Sequence, residues 1–327
     1  GMGVGVSLAG LASAVANQGG VGVISSAGLG AIYNNYSKDY RAASIWGLKE
    51  ELRKAREATK GIIGVNVMVA MSNFADMVKT AIAEKADIIF SGAGLPLNLP
   101  SFLTEDAKTK LAPIVSSARA AKVLCQKWFS EYKYIPDAIV VEGPKAGGHL
   151  GYKADQIADE HYSLEAIVPQ IVAEVRAFEA EHNCRIPVIA GGGIYTGEDI
   201  YRIMALGADG VQMGTRFVTT DECDADPAFK QSYIEAHEED IEIIQSPVGM
   251  PGRAIFNTFI KHGSHKIDKK CLHCLEHCNP KEIPYCITRA LIAAAKGNLD
   301  EALLFCGANA WKAEKLEHVA DIMEELK

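Results

Sequence analysis

A chain of 327 residues exceeds the usual single domain, yet one α/β barrel of about 250 residues with an appendage accommodates it. Lys and Arg number 33 against 41 Asp and Glu, a net charge of −8 that excludes a broad basic surface for nucleic acid. Apolar residues at 48% and charged residues at 23% exclude disorder and mark an ordinary globular composition.

No charged residue precedes Lys38, and nine of the first thirty residues are glycine. A signal peptide needs a basic start, and a membrane span needs about 20 apolar residues with few breaks. Gly1, Gly3, Gly5, Gly10, Asn17, Gln18, Gly19 and Gly20 interrupt this run, so a buried glycine turn and a buried helix are expected in a soluble, cytoplasmic protein. Leu8, Leu11 and Val15 share one helical face behind a Ser7 N-cap, and Gly19 or Gly20 ends that helix.

Seven near-continuous apolar runs follow, at 21–24, 62–69, 87–91, 113–116, 137–142, 186–190 and 209–213. Such runs read as parallel strands covered on both faces, and the amphipathic stretches between them, such as Phe74, Met77, Val78 and Ile82, read as helices. The fold class is therefore α/β, a (β/α)8 TIM-type barrel over 1–220 that lacks its first strand. Either that strand is lost through truncation or a misplaced start, or the barrel closes imperfectly; Gly1 ahead of Met2 has the form of a tag residue. Residues 221–327 read as a helical cap on the barrel mouth. Its helices are expected at 227–239, 283–296 and 298–305, with the last helix packing back on the barrel.

Two glycine motifs end the last two strands: Ala190-Gly191-Gly192-Gly193-Ile194 and Gly214-Thr215-Arg216-Phe217. Glycine lets backbone N–H groups approach a phosphate, and barrels place such a site after strands seven and eight. Gly1-Met2-Gly3-Val4-Gly5 lacks the G-x-G-x-x-G spacing of dinucleotide binders, which leaves a mononucleotide-type phosphate ligand. His149 follows the 137–142 run in the loop Glu142-Gly-Pro-Lys145-Ala-Gly-Gly-His149. Imidazole is the side chain most readily poised as acid or base near neutral pH, so His149 is the candidate catalytic residue.

Together, the Gly1–Ser7 turn, Gly64-Val-Asn66, Glu142-Gly-x-x-Ala-Gly-Gly-His149, Ala190-Gly-Gly-Gly-Ile194 and Gly214-Thr-Arg-Phe217 resemble the nitronate monooxygenase (2-nitropropane dioxygenase) family over about residues 1–260. The flavin-type enoyl-acyl-carrier-protein reductases share these motifs. The resemblance implies a barrel binding FMN. Its phosphate would lie at Ala190, Gly191, Gly192, Gly193, Gly214 and Thr215, with Gly1, Met2, Gly3 and Asn66 along the flavin. It also implies that His149 binds substrate and abstracts a proton as an alkyl nitronate passes electrons to FMN and then oxygen. In the reductase branch hydride passes from NAD(P)H through FMN to an enoyl thioester. Lys145 departs from the family, which commonly has an acidic residue there.

Eight cysteines suggest reduced thiols in a cytoplasmic setting, and four of them form C-x2-C-x3-C-x7-C at Cys271, Cys274, Cys278 and Cys286. This density suits an iron–sulfur cluster or a structural zinc, with His273 and His277 as further zinc ligands. On a helix, Cys271, Cys274 and Cys278 would instead share one face as small hydrophobes. Lys261, Lys266, Lys269 and Lys270 read as a solvated face, or as a dock for an acidic carrier or a phosphorylated substrate. Residues 246–253 read as a shaped turn in which Arg253 is placed to hold an anion. The expected partner is a small-molecule substrate, with neither nucleic acid nor membrane. A flavin-free barrel lyase or isomerase acting on a sugar phosphate, and a non-catalytic metal- or nucleotide-binding sensor, are the rival readings.

Overall fold

The computed structural model describes residues 1–262, 271–276 and 278–327. Seven parallel strands form one sheet: β1 (Val21–Ser25), β2 (Ile62–Met68), β3 (Ile88–Gly92), β4 (Lys110–Val115), β5 (Ile139–Glu142), then, after a short β6 (Gly148–His149), β7 (Val188–Gly191) and β8 (Gly210–Gln212). Their order is β1-β2-β3-β4-β5-β7-β8, a curled half-barrel whose end strands do not pair with each other. All seven expected strands are present. Alternation explains why they read as unbroken apolar runs. Ile63, Val65, Ile89, Leu111, Ile139, Val141 and Val188 face outward beneath the helices, with Leu48, Met77, Leu124, Trp128 and Ile171. Phe90, Ala112, Ala138 and Val140 face inward and fill the barrel.

The amino-terminal ends of the strands are tied by one repeated device. Asp87 Oδ2 accepts from Ile63 N (2.7 Å), Asp137 Oδ2 from Leu111 N (2.9 Å), and Asp209 Oδ2 from Val188 N (2.8 Å). Arg56 and Arg176 pair with Asp87 and Asp209. This end of the barrel is given to stability and leaves the opposite mouth for ligands.

The first helix, Ala9–Asn17, departs from expectation at its start. Ser7 does not cap it; its hydroxyl accepts from Met2 N (2.8 Å) and donates to Val23 O (3.0 Å). The orphan amides of Leu8, Gly10 and Leu11 instead donate to the Asp224 carboxylate, and Ala9 N donates to Glu51 Oε2 (2.8 Å). A side chain 213 or more residues away in sequence thus caps the helix. Asp224→Ala is expected to lower stability by about 1–2 kcal/mol, seen as a lower urea midpoint; an unchanged midpoint would show the cap to be idle.

The tail holds strands as well as helices. Pro227–Ile234 and Ile287–Ala295 are helical, the second starting only beyond Pro284, which disfavours a helical Ile283. Residues 298–305 do not form the expected helix. Beyond a short 3-10 turn, Leu299–Glu301, they run extended, and Leu304 O accepts from Ile255 N (2.9 Å). An antiparallel hairpin, β9 (Ile241–Gln245) and β10 (Pro251–Ile255), was not expected, and β10 pairs with β6 to form a second sheet. The final helix, Val319–Glu325, packs Val319 and Ile322 against Leu11 and Phe217. Lys266, Lys269, Lys270 and His277 lie outside the described residues. Among the described residues no helix is long and apolar enough to cross a membrane, and all eight cysteines are free thiols.

Candidate active site

The carboxyl ends of the strands converge on the first glycine turn. A Cβ added at Gly1 would stand 3.0 Å from that of Asn66 on β2, and one at Gly3 would stand 2.7 Å from Ser25 Oγ at the end of β1. Ser7 O accepts from Ser25 N (2.9 Å), while Met2 Sδ would lie 3.2 Å from a Cβ at Gly214, beyond β8. Residues 1–7 therefore span the gap between the two end strands. Gly1, Met2, Gly3, Asn66 and Gly214 are brought together.

The two phosphate-turn candidates are adjacent. Gly191 is in register with Gln212. Gly192 and Gly193 are left-handed, at φ 106° and 89°, and a Cβ would meet Gly143 O at 2.9 Å and the Lys145 stem at 2.8 Å respectively. Among the described residues, the amides of Gly192, Gly193, Ile194 and Gly214 donate to no protein acceptor. Four free donors on glycine-lined turns fit a phosphate group. The loop that holds them in place comes from the tail: Asn309 Nδ2 donates to Gly193 O (2.7 Å), Gly307 N to Thr215 Oγ1 (3.1 Å) and Ala308 N to Lys145 O (3.1 Å).

His149 stands at the far end of the Glu142 loop, away from the phosphate turns. Gly252 of β10 pairs with it, its ring meets Phe305 edge-on (centroids 5.0 Å apart), and its Nε2 lies 2.7 Å from Ser246 Oγ. Burial pulls its pKa down to about 4, so the imidazole is neutral at physiological pH. At the mouth itself, burial pushes the half-buried Glu142 carboxyl up to about 7.

Arg253 is not an anion holder. Its Nη1 donates to both Pro144 O and Ala146 O at 2.7 Å, which clamps the loop between β5 and His149. The cysteines also differ from expectation. Residues 271–276 are not helical, so there is no shared helix face, and among the described residues no group of three or more His, Cys, Asp or Glu side chains is placed to hold a metal ion. An iron–sulfur cluster or a zinc ion held by these side chains is therefore unsupported.

Sequence reasoning missed Ser246, the clamping role of Arg253, Glu142 as a titrating group and the Gly307–Asn309 loop. Ser246 and Arg253 carried one signal, their place in a loop of two prolines and two glycines. Asn309 carried none.

The α/β half-barrel thus carries paired glycine turns with free amides and a half-buried histidine at one mouth. The nitronate monooxygenase family model matches residues 1–84 and 72–327, and the chain belongs to this family of oxidoreductases. The likeness therefore reaches past residue 260 to the end of the tail, and the lyase, isomerase and sensor readings fall. A probable nitronate monooxygenase of Staphylococcus saprophyticus is 34% identical over 135 residues, 41% of this chain and 34% of that one. A (3aS,4S,5R,7aS)-5-hydroxy-7a-methyl-1-oxo-octahydro-1H-indene-4-carboxyl-CoA dehydrogenase of Mycobacterium tuberculosis is 29% identical over 75% of this chain and 59% of that one. The chain thus spans well under two thirds of the length of these two relatives. Among solved structures, FabK from Thermotoga maritima is 26% identical with a TM-score of 0.74, covering 100% of this chain and 89% of that one. Nitroalkane oxidase from Streptomyces ansochromogenes, at 21% identity and TM-score 0.73, covers 99% of this chain and 92% of that one and shares the fold.

Proposed function

We propose that the chain is an FMN-dependent oxidoreductase that oxidises alkyl nitronates. The observation that carries this reading is the pair of adjacent glycine turns with unpaired amides, against which residues 143–146 of the histidine loop pack. Gly192, Gly193, Ile194, Gly214 and Thr215 would hold the cofactor phosphate, with Gly1, Met2, Gly3 and Asn66 along its ring system. When bound, FMN supplies the two-electron chemistry. The chain supplies the rest. His149, neutral and hydrogen-bonded by Ser246, is the group that accepts the substrate proton, and Phe305 fixes its ring edge-on. Arg253 holds the loop that carries both Lys145 and His149.

A second reading, NAD(P)H-dependent reduction of an enoyl thioester, draws on the likeness to FabK and to the CoA-thioester dehydrogenase. Mixing flavin-loaded protein with a nitronate or with NADH plus a crotonyl thioester, and following flavin absorbance, separates the two. Purified protein is expected to show flavin bands near ~370 and ~450 nm. Gly192→Val would fill the φ 106° turn, and is expected to abolish flavin retention while the fold, followed by circular dichroism, persists. Wild-type protein that neither carries nor takes up FMN would overturn the proposal, and so would a Gly192→Val chain that retains flavin normally.

A further inference from the structure

The amides of Gly192, Gly193, Ile194 and Gly214 are neutral donors, whereas a phosphate monoester carries about −1.5 to −2 charge at neutral pH. A full positive charge against that anion strengthens its binding well beyond what neutral donors give. Three cationic side chains beside these turns are committed elsewhere. Arg216, in the second turn, is buried and paired with Glu317 and Glu325. Arg253 donates to Pro144 O and Ala146 O. The Lys312 ammonium lies over the rings of Tyr195 and Trp311, 5.9 and 5.6 Å from their centroids.

Lys145 is not committed. A Cβ built on Gly193 would stand 2.8 Å from Lys145 Cβ, 3.5 Å from its Cγ and 3.1 Å from its Cδ. The lysine stem therefore runs along the turn that bears two of the free amides, and glycine at 193 admits it. The backbone beneath the stem is held on both sides. Ala308 N donates to Lys145 O (3.1 Å), and Arg253 binds the carbonyls of the residues before and after it. Lys145 is exposed, and among the described residues its ammonium makes no hydrogen bond, ion pair or ring contact. Packing of the stem has already removed part of the rotamer freedom that a loose lysine would lose on meeting an anion.

We propose that Lys145 is the cation of the phosphate site, and that its ammonium makes the chain select a phosphorylated flavin over the unphosphorylated one. The inference rests on the reading of these turns as the seat of the FMN phosphate. It adds the charge that the backbone lacks, from a loop that Arg253 and Ala308 hold against the turn. Lys145 acts on binding alone and takes no part in proton or electron transfer.

The test is titration of the full chain, stripped of flavin, with FMN and separately with riboflavin, followed by quenching of flavin fluorescence. Lys145→Met keeps the stem and removes the charge. It is expected to weaken FMN binding about 10- to 100-fold, the worth of one hydrogen bond between charged groups, and to change riboflavin binding less than about twofold. FMN affinity is expected to fall more steeply with added salt in the wild-type chain than in Lys145→Met, and Lys145→Arg is expected to keep the wild-type slope. Lys110→Gln, which removes the same charge from a lysine paired with Asp137 at the opposite end of the barrel, is expected to leave both affinities unchanged. Equal FMN affinity in the wild-type and Lys145→Met chains, equal salt slopes, or an equal loss in Lys110→Gln would each overturn the proposal. So would a Lys145→Met chain that loses FMN and riboflavin alike. A wild-type chain that binds no FMN counts against the phosphate reading of the turns; FMN bound equally well without the Lys145 charge counts against this inference alone.

Discussion

A chain carrying His149→Ala is expected to turn over its substrate about 10²- to 10⁴-fold more slowly, with flavin content unchanged. The two readouts separate because His149 sits on β6 against Ser246 and Phe305, while the free amides lie on the turns after β7 and β8. Ser246→Ala removes the hydroxyl 2.7 Å from Nε2 and is expected to slow turnover about tenfold, the worth of one such hydrogen bond, with Ser246→Thr restoring it. Because burial holds His149 near pKa 4, the acid limb of its pH–rate profile is expected near pH 4 rather than near 6.5. A limb at 6.5, or full turnover in His149→Ala, would move the proton chemistry to another group, with Glu142 first in line. The linked effect on folding has a definite sign. The unfolded imidazole takes up its proton near 6.5 and the folded one near 4, so this group costs the folded state stability as pH falls from about 6.5 to about 4.

Arg216→Ala carries the largest expected effect on stability, a loss of about 3 kcal/mol. Arg216 is 5% exposed, bonded to Glu317 at 2.5 and 3.2 Å and to Glu325 at 2.9 Å, and its guanidinium lies over the Tyr195 ring. Removing it strands the Glu317 carboxylate and loosens the final helix from the glycine turn that begins at Gly214. Arg216's hydrogen bond is the main reason Glu317 lies below the usual carboxylate range. That contribution is present above pH 4.5 and is lost as pH falls through the lowered value. The variant is expected to unfold at lower urea and to lose this acid dependence. A wild-type midpoint would show that the tail is held by Val319 and Ile322 packing alone.

The strands of the half-barrel were legible because a strand buried on both faces needs apolar residues at every position, whichever way each side chain points. β9 and β10 were not. Ile241–Gln245 is largely exposed, and Pro251 and Gly252 are residues that weaken a strand reading. These segments are strands because their amides pair with each other and with β6, a partner about a hundred residues away. For the same reason residues 303–305, apolar enough for a helix, run extended along β10.

The chain's own residues determined the parallel sheet, the glycine turns at its mouth and the histidine loop, since each depends on local conformation: burial of a run, positive φ at Gly192 and Gly193, and close backbone approach at Gly1 and Gly3. Tertiary structure alone decided which side chains serve those parts. It set Ser246 on His149, Asp224 on the first helix, Asn309 on Gly193, and Arg253 on backbone carbonyls rather than on an anion. Each of these is a hydrogen bond between residues roughly 100 to 200 positions apart. Its geometry is fixed by strand register and helix packing, which no short window of sequence encodes.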